Sequence, residues 1–187
     1  MIDRRQLLIA TVGLSTSFAG AAYAQPRVTD DGLYTQPWFL ESFLHLTEDL
    51  DAAGKAGKRF AIMWELKGCP YCKDTHLVNF GDPEISRFVQ DRFEILQLNI
   101  VGDREVTDFD GDKLSEKGLA QKYGVRFTPT FQFFPETPGT LGKAPRDREV
   151  ARAQGYLPPP QFKAMFRFVA ERAYEQRSLS DYLKQLG

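Results

Sequence analysis

Cys69 and Cys72 are the only two cysteines among 187 residues, and they directly follow the apolar stretch Phe60-Ala61-Ile62-Met63-Trp64. Two thiols spaced as Cys69-Pro70-Tyr71-Cys72 can open and close one disulfide, which is redox chemistry. The attacking sulfur must be a thiolate near neutral pH, whereas free cysteine has a pKa of about 8.5. Where a helix begins, unsatisfied backbone N–H groups point at the first cysteine and stabilise its anion. That position falls to Cys69. Pro70 suits the first helical turn, because it lacks one of those N–H groups in any case. Lys67 and Lys73 add positive potential. Cys72, one turn further in, is expected to be the more buried resolving thiol, which attacks the mixed disulfide once Cys69 has captured a substrate.

Other chemistries fit the residues less well. Structural zinc needs four ligands, and only His45 and His76 can supplement the thiols, without finger spacing. A c-type haem needs His directly after the second cysteine, where Lys73 stands. A purely structural disulfide at this spacing closes too small a loop to stabilise much. Inert buried thiols sit poorly beside Gly68 and Pro70. Asp108, Asp110 and Asp112 alternate like the opening of a calcium loop, but Lys113 stands where the loop glycine belongs and Leu119 where the closing carboxylate belongs. A solvated Asp-Gly turn is expected there instead, so neither calcium nor zinc is implied. His76, one turn after Cys72, could tune or shuttle protons to the dithiol, but a surface position is expected for it, and Glu65, at the strand end, is expected to be solvated. His45 is expected to be structural, and Trp38, Phe39, Phe43 and Leu44 to cover the core.

The elements that must hold the dithiol follow from periodicity. Residues 25–37 are aperiodic and read as an extended lead-in. From Trp38 to about Ala53, Phe39, Phe43, Leu44, Leu46 and Leu50 recur at helical spacing, and Gly54 and Gly57 end that helix. Residues 58–66 read as a strand and 69–80 as the helix after it. Asp82-Pro83 is a restart signal, an N-cap followed by proline at the first helical position. A strand over 93–100, a polar loop from Gly102 to Asp112 and a helix from Lys113 to Tyr123 follow, the helix closed by Gly124 in a left-handed position. Residues 127–134 read as a strand carrying Thr128-Pro129, with proline expected only at its start. A turn region, a hairpin strand over 148–154, a helix from Pro158 to about Arg177 and a short terminal helix complete the chain. A βαβ unit followed by a hairpin and a helix predicts an α/β fold with a central mixed sheet flanked by helices. A cis bond at Pro129 would turn the backbone toward the cysteine helix, although composition alone favours trans.

The length fits one domain, and 42% hydrophobic residues with 15 Phe point to a packed core. A formal charge of -1 argues against a nucleic-acid partner held through phosphates. Residues 1–24 carry the charged segment Met1-Ile2-Asp3-Arg4-Arg5, an apolar run from Leu7 to Ala22, and Ala22-Tyr23-Ala24 at a cleavage position. They read as a cleaved signal peptide, with an uncleaved anchor as the alternative. Arg4-Arg5 resembles a twin-arginine signal, which leaves both export routes open. The exported chain divides into an extension and helix over 25–57 and a domain over 58–187. It is expected in an oxidising bacterial periplasm.

Trp64 ahead of Cys69-Pro70-Tyr71-Cys72, then Val125-Arg126-Phe127-Thr128-Pro129-Thr130-Phe131, and Gly155-Tyr156 before a proline-started helix, resemble the thioredoxin superfamily from Phe60 to the last helices. More narrowly, Gly68 to Lys73, the loop Gly102 to Gly111 and Gly155-Tyr156-Leu157-Pro158 look like the SoxW-type periplasmic thioredoxins, linked to bacterial sulfur oxidation. The resemblance implies a thioredoxin fold with an N-terminal helical extension, Cys69 as nucleophile and Cys72 as resolving thiol. It also implies a cis Thr128-Pro129 facing the disulfide, with Trp64, Pro70, Tyr71, Thr128 and Pro129 against the substrate. No cofactor is implied beyond the redox-active disulfide. The implied partners are disulfides of exported client proteins, in sulfur oxidation or cytochrome c maturation, and a membrane thiol-transfer protein as electron donor. The match has departures: Gly68 stands where thioredoxins have Trp, Pro70-Tyr71 is the glutaredoxin dipeptide, and Glu65 is offset from the thioredoxin carboxylate. A reductase, a disulfide oxidant or isomerase, a glutaredoxin-like enzyme and a non-enzymatic client-binding module therefore all stay open.

Overall fold

A computed structural model describes residues 26–142 and 144–185; the expected signal peptide lies outside them. The short strands β1 (Arg27–Val28) and β2 (Tyr34–Thr35) pair as a hairpin ahead of α1 (Leu46–Lys55). Next come β3 (Arg59–Glu65), α2 (Pro70–Asp74) with a π-helical turn over Thr75–Asn79, α3 (Pro83–Arg92) and β4 (Phe93–Asn99). A small hairpin of β5 (Glu105–Thr107) and β6 (Lys113–Ser115) leads into α4 (Glu116–Lys122). β7 (Thr130–Phe133), β8 (Ala151–Gln154), α5 (Pro159–Ala170) and α6 (Leu179–Lys184) follow.

The main sheet has the order β4-β3-β7-β8, with β3 parallel to β4 and antiparallel to β7, so the mixed sheet that the sequence predicts is present. Strand alternation sorts its side chains into two cores. Ala61, Met63, Phe93, Ile95, Phe131 and Phe133 pack with Phe162, Met165 and Phe166 of α5 and Val89 of α3. Phe60, Ile62, Trp64, Leu96 and Leu98 pack with Leu46 and Leu50 of α1 and Leu119 of α4. Asp82 caps α3 as its sequence suggests, accepting the N–H groups of Glu84 and Ile85 at 2.8 and 3.1 Å. Gly124 ends α4 at a φ of 63°.

Local chemistry overrides periodicity in four places. The predicted helix from Trp38 begins only at Leu46, with His45 at its N-cap. The backbone before it is used elsewhere: Leu40 donates to the Ile95 carbonyl on the edge of β4, and Leu44 accepts from Thr107. Leu44 sits at a φ of 63°, and Phe43 is not core cover but 96% exposed. Ser115, not Lys113, starts the next helix by accepting the Gly118 N–H, because residues 113–115 pair with Glu105–Thr107 inside the predicted loop. α5 stops at Ala170, and Arg172 takes a left-handed turn at a φ of 57°. The expected solvated turn at Asp108 is a buried ionic tie. Asp108 accepts from Tyr123 Oη at 2.8 Å and from Arg148 at 2.9 Å, and Lys122 lies 2.6 Å away. Lys122 also reaches Asp110 and Asp112, and Arg148 reaches Asp110.

Partial burial by itself raises the Asp110 carboxyl, but hydrogen bonds from Lys122 and Arg148 outweigh it and hold the group well below its ordinary value. Replacing Arg148 with Ala withdraws one cation from the fully buried Asp108, an expected loss on the order of 3 kcal/mol. The measurement is the urea midpoint at unchanged m value. A group with a depressed folded pKa stabilises above its unfolded value and loses that contribution as pH falls. The gap between Arg148→Ala and the parent should therefore narrow below pH 3.8.

Candidate active site

β3 ends at Glu65, and the chain must turn sharply to start a helix. Gly68 provides the turn at a φ of 77°, a conformation that side-chain-bearing residues rarely adopt. Cys69 then takes the N-cap of α2, with Pro70 as the first helical residue. Cys69 Sγ accepts the Cys72 N–H at 3.1 Å, so the helix start directs a donor at the sulfur. The two cysteines form a disulfide across a Cα separation of 5.3 Å. Cys69 is half-buried, whereas Cys72 is only 3% exposed.

A second segment faces the first. The Thr128-Pro129 bond is cis, and the Thr128 carbonyl oxygen lies 3.6 Å from Cys69 Sγ. This loop is fixed on both sides: Thr130 Oγ1 donates to the Phe127 carbonyl, and the Gly155 N–H donates to that of Pro129. Pro129 itself is buried and Thr128 half-buried. Beside the disulfide, Pro70 is exposed and Tyr71 is 56% exposed, its ring stacked on Tyr156 at 6.1 Å. Phe127 is 64% exposed, and Leu66, Leu77 and Val78 are exposed as well. The arrangement leaves one sulfur approachable, with Pro70 and Tyr71 following it in the chain, the Thr128 carbonyl facing it and Phe127 adjoining Thr128.

Trp64 does not belong to this surface. It is fully buried on the α1 and α4 face of the sheet, where its indole N–H donates to Gln132 Oε1. Even-numbered positions of β3 point to that face, so Trp64 supports the core rather than lining the surface beside the disulfide. Glu65 and His76 also differ from expectation, because both are fully buried rather than at the surface. Glu65 is an odd-numbered position of β3 and points to the α5 side. The π turn, closed by Phe80 N–H to the Thr75 carbonyl at 2.9 Å, rotates Thr75, His76 and Asn79 inward. His76 Nε2 lies 3.1 Å from both carboxylate oxygens of Glu65. Asn79 reaches the Leu157 carbonyl at 2.9 Å and so fastens the start of α5 to this helix.

Three further residues around His76 were not legible as site residues. Gln36 Nε2 contacts His76 Nδ1, Tyr34 stacks on the imidazole at 6.3 Å, and Gln97 Nε2 donates to Glu65. Gln36 and Tyr34 sit in the aperiodic lead-in, where sequence offers no signal. For Gln97 the signal was a polar residue within an apolar strand.

In the reduced protein, iodoacetamide should label Cys69 faster than Cys72 by at least about tenfold, given its helix-start position and access to solvent. Peptide mass spectrometry after brief alkylation reads the ratio, and equal labelling would contradict the asymmetry described.

Residues 46–170 match the family described as Thioredoxin-like domain. A thioredoxin-fold protein from Helicobacter pylori superposes with a TM-score of 0.53 at 22% identity, covering 74% of this chain and 96% of that one. A thioredoxin from Thermus thermophilus gives 0.47 at 28% identity over 65% and 81% of the two chains. The oxidised C-terminal domain of DsbD from Neisseria meningitidis gives 0.42 at 16% identity over 71% and 93%. No curated protein matches the chain in sequence.

Proposed function

The chain belongs to the thioredoxin-like domain family, and from that premise we propose that it is a periplasmic thiol:disulfide oxidoreductase that reduces disulfides of exported client proteins. One observation carries the proposal: a disulfide with one sulfur open and the other sealed at 3% exposure. The Cys69 thiolate attacks a client disulfide, forming one S–S bond and releasing one client thiolate. Cys72 gives up its proton, attacks Cys69 Sγ and displaces the second client thiolate. The client gains two electrons and leaves as two thiolates, which take up the Cys72 proton and one from solvent, and the protein is left as the Cys69–Cys72 disulfide. Tyr71, Phe127 and Thr128 line the approach and are the residues proposed to meet the client, with Pro70 and Pro129 shaping it. The helix start stabilises the Cys69 thiolate, and the sequestered Cys72 shortens the life of the mixed disulfide.

The signal peptide read from residues 1–24 supports export, and in that compartment a membrane thiol-transfer protein is proposed to restore the dithiol. Sulfur oxidation or cytochrome c maturation is the proposed setting, on the resemblance to the SoxW-type proteins.

Two measurements test this. Cys72→Ser, which removes the resolving thiol, should accumulate client proteins in mixed disulfides on Cys69, seen as bands that collapse on reduction. The absence of any such adduct would refute catalysis. The Cys69–Cys72 potential against glutathione should fall nearer the reductase reference of about -270 mV than the oxidant reference of about -120 mV. A value at the oxidant end would reassign the protein as a disulfide oxidant, and preferential turnover of a glutathionylated peptide would reassign it as glutaredoxin-like.

A further inference from the structure

Behind the dithiol helix, the hydrogen-bond partners of the buried His76 and Glu65 fix where their protons reside. Gln36 Nε2 lies 3.2 Å from the His76 carbonyl oxygen and 3.2 Å from His76 Nδ1. A carbonyl oxygen only accepts, so the Gln36 amide must turn its NH2 group to this side. The same NH2 donates to Nδ1, which must then be the unprotonated ring nitrogen. The ring proton is on Nε2, between the two oxygens of Glu65. Gln97 is oriented by the same logic: its Nε2 donates to the Tyr34 carbonyl and therefore also presents a donor to Glu65. Glu65 receives donors from both neighbours, so the O–H of a protonated Glu65 would find an acceptor in neither. An imidazolium would set Nδ1–H against the Gln36 NH2. A protonated Glu65 bonded to the ring would require the same misplaced hydrogen.

We propose that Gln36, in the segment after the β1–β2 hairpin, is a positioning residue that locks His76 as its neutral Nε2–H tautomer. In doing so it keeps an uncompensated negative charge on Glu65 behind the Cys69–Cys72 helix. His76 lies four residues after Cys72 on the same helical rod, a spacing that brings side chains to within about 5–6 Å at their Cβ atoms. Among the described residues no lysine or arginine pairs with Glu65: Arg104 donates to the Gln97 carbonyl but is paired with Glu116, and Lys67 is exposed. The hairpin side contributes Gln36, the Tyr34 phenol and the Phe39 ring, and β4 contributes the neutral Gln97. Phe80 closes the remaining side, backed by Phe162 and Phe166 of α5. On the helix itself, Lys73 and Asp74 face solvent. A nearby buried anion disfavours a thiolate, so Glu65 opposes the helix start and holds the dithiol pKa up. The consequence for turnover rests on the oxidoreductase reading, whereas the proton assignment does not.

Histidine-selective 15N NMR on the full chain reads the tautomer directly, in both the oxidised and the reduced protein. His76 should remain the neutral Nε2–H form across the neutral pH range. Gln36→Leu should release the lock and give the Nδ1–H tautomer or an imidazolium. Glu65→Gln should lower the Cys69 thiolate midpoint, followed by absorbance at 240 nm, by about one pH unit. An Nδ1–H tautomer or imidazolium in the unaltered protein overturns the proposal, and so does an unchanged thiolate midpoint in folded Glu65→Gln. If that variant fails to fold, the tautomer of the unaltered protein decides. Neither readout needs a client, so a negative result in the mixed-disulfide trap counts against the oxidoreductase reading alone.

Discussion

Burial of β3 on both faces is the constraint on which the site depends. A strand with a core on either side has no freedom of register, because a slip of one residue would exchange every side chain between two differently shaped cores. Pairing from Arg59↔Phe93 to Glu65↔Asn99 on one edge, and from Ala61↔Phe133 to Trp64↔Thr130 on the other, holds the strand rigid along its length. The cysteine turn is therefore built on a strand that is buried on both faces and paired on both edges. The same alternation sends Trp64 away from the active-site helix and Glu65 toward it. Two neighbours in sequence thus take opposite parts: one fills a core, and the other charges the underside of the site.

The dithiol is assembled from segments far apart in sequence but linked by two hydrogen bonds and a ring stack. Gly155 N–H to the Pro129 carbonyl, Asn79 to the Leu157 carbonyl and the Tyr71–Tyr156 stack join the cysteine helix, the proline loop and the chain entering α5. No one of these is strong, since a net hydrogen bond contributes on the order of 1 kcal/mol. Together they fix the position of the Thr128 carbonyl against Cys69 more closely than either loop could alone.

Much of this was legible in the sequence, for identifiable reasons. The apolar run 60–64, the Asp82-Pro83 cap, Gly124 and the cysteine spacing are local signals whose physics does not depend on distant partners, and β3, the starts of α2 and α3, the end of α4 and the dithiol were read from them. Failures came where a distant partner decides. Phe39, Phe43, Leu44 and Leu46 have helical spacing, but the edge of β4 takes the Leu40 N–H and the segment stays extended. Glu65 and Asp108 are charged residues for which a surface position is the natural expectation. They are buried because His76, Gln97, Lys122, Tyr123 and Arg148 arrive from elsewhere to satisfy them. The π turn that brings His76 inward shifts the helical phase by one residue, so a reading of 69–80 as a regular helix places His76 on the wrong face.

The segment over 26–45 sits outside the residues that match the family, yet it supplies the donor to His76 Nδ1 and the ring stacked on that imidazole. The edge of recognisable ancestry and the edge of the cooperative electrostatic unit are therefore different places in this chain. Swapping its family-matched core into a relative, or a relative's core into it, would carry the catalytic sulfurs across but leave behind the part that sets their surroundings. On the proposed role of Gln36, part of the redox character is encoded by an appendage and can diverge between proteins whose shared domain is the same.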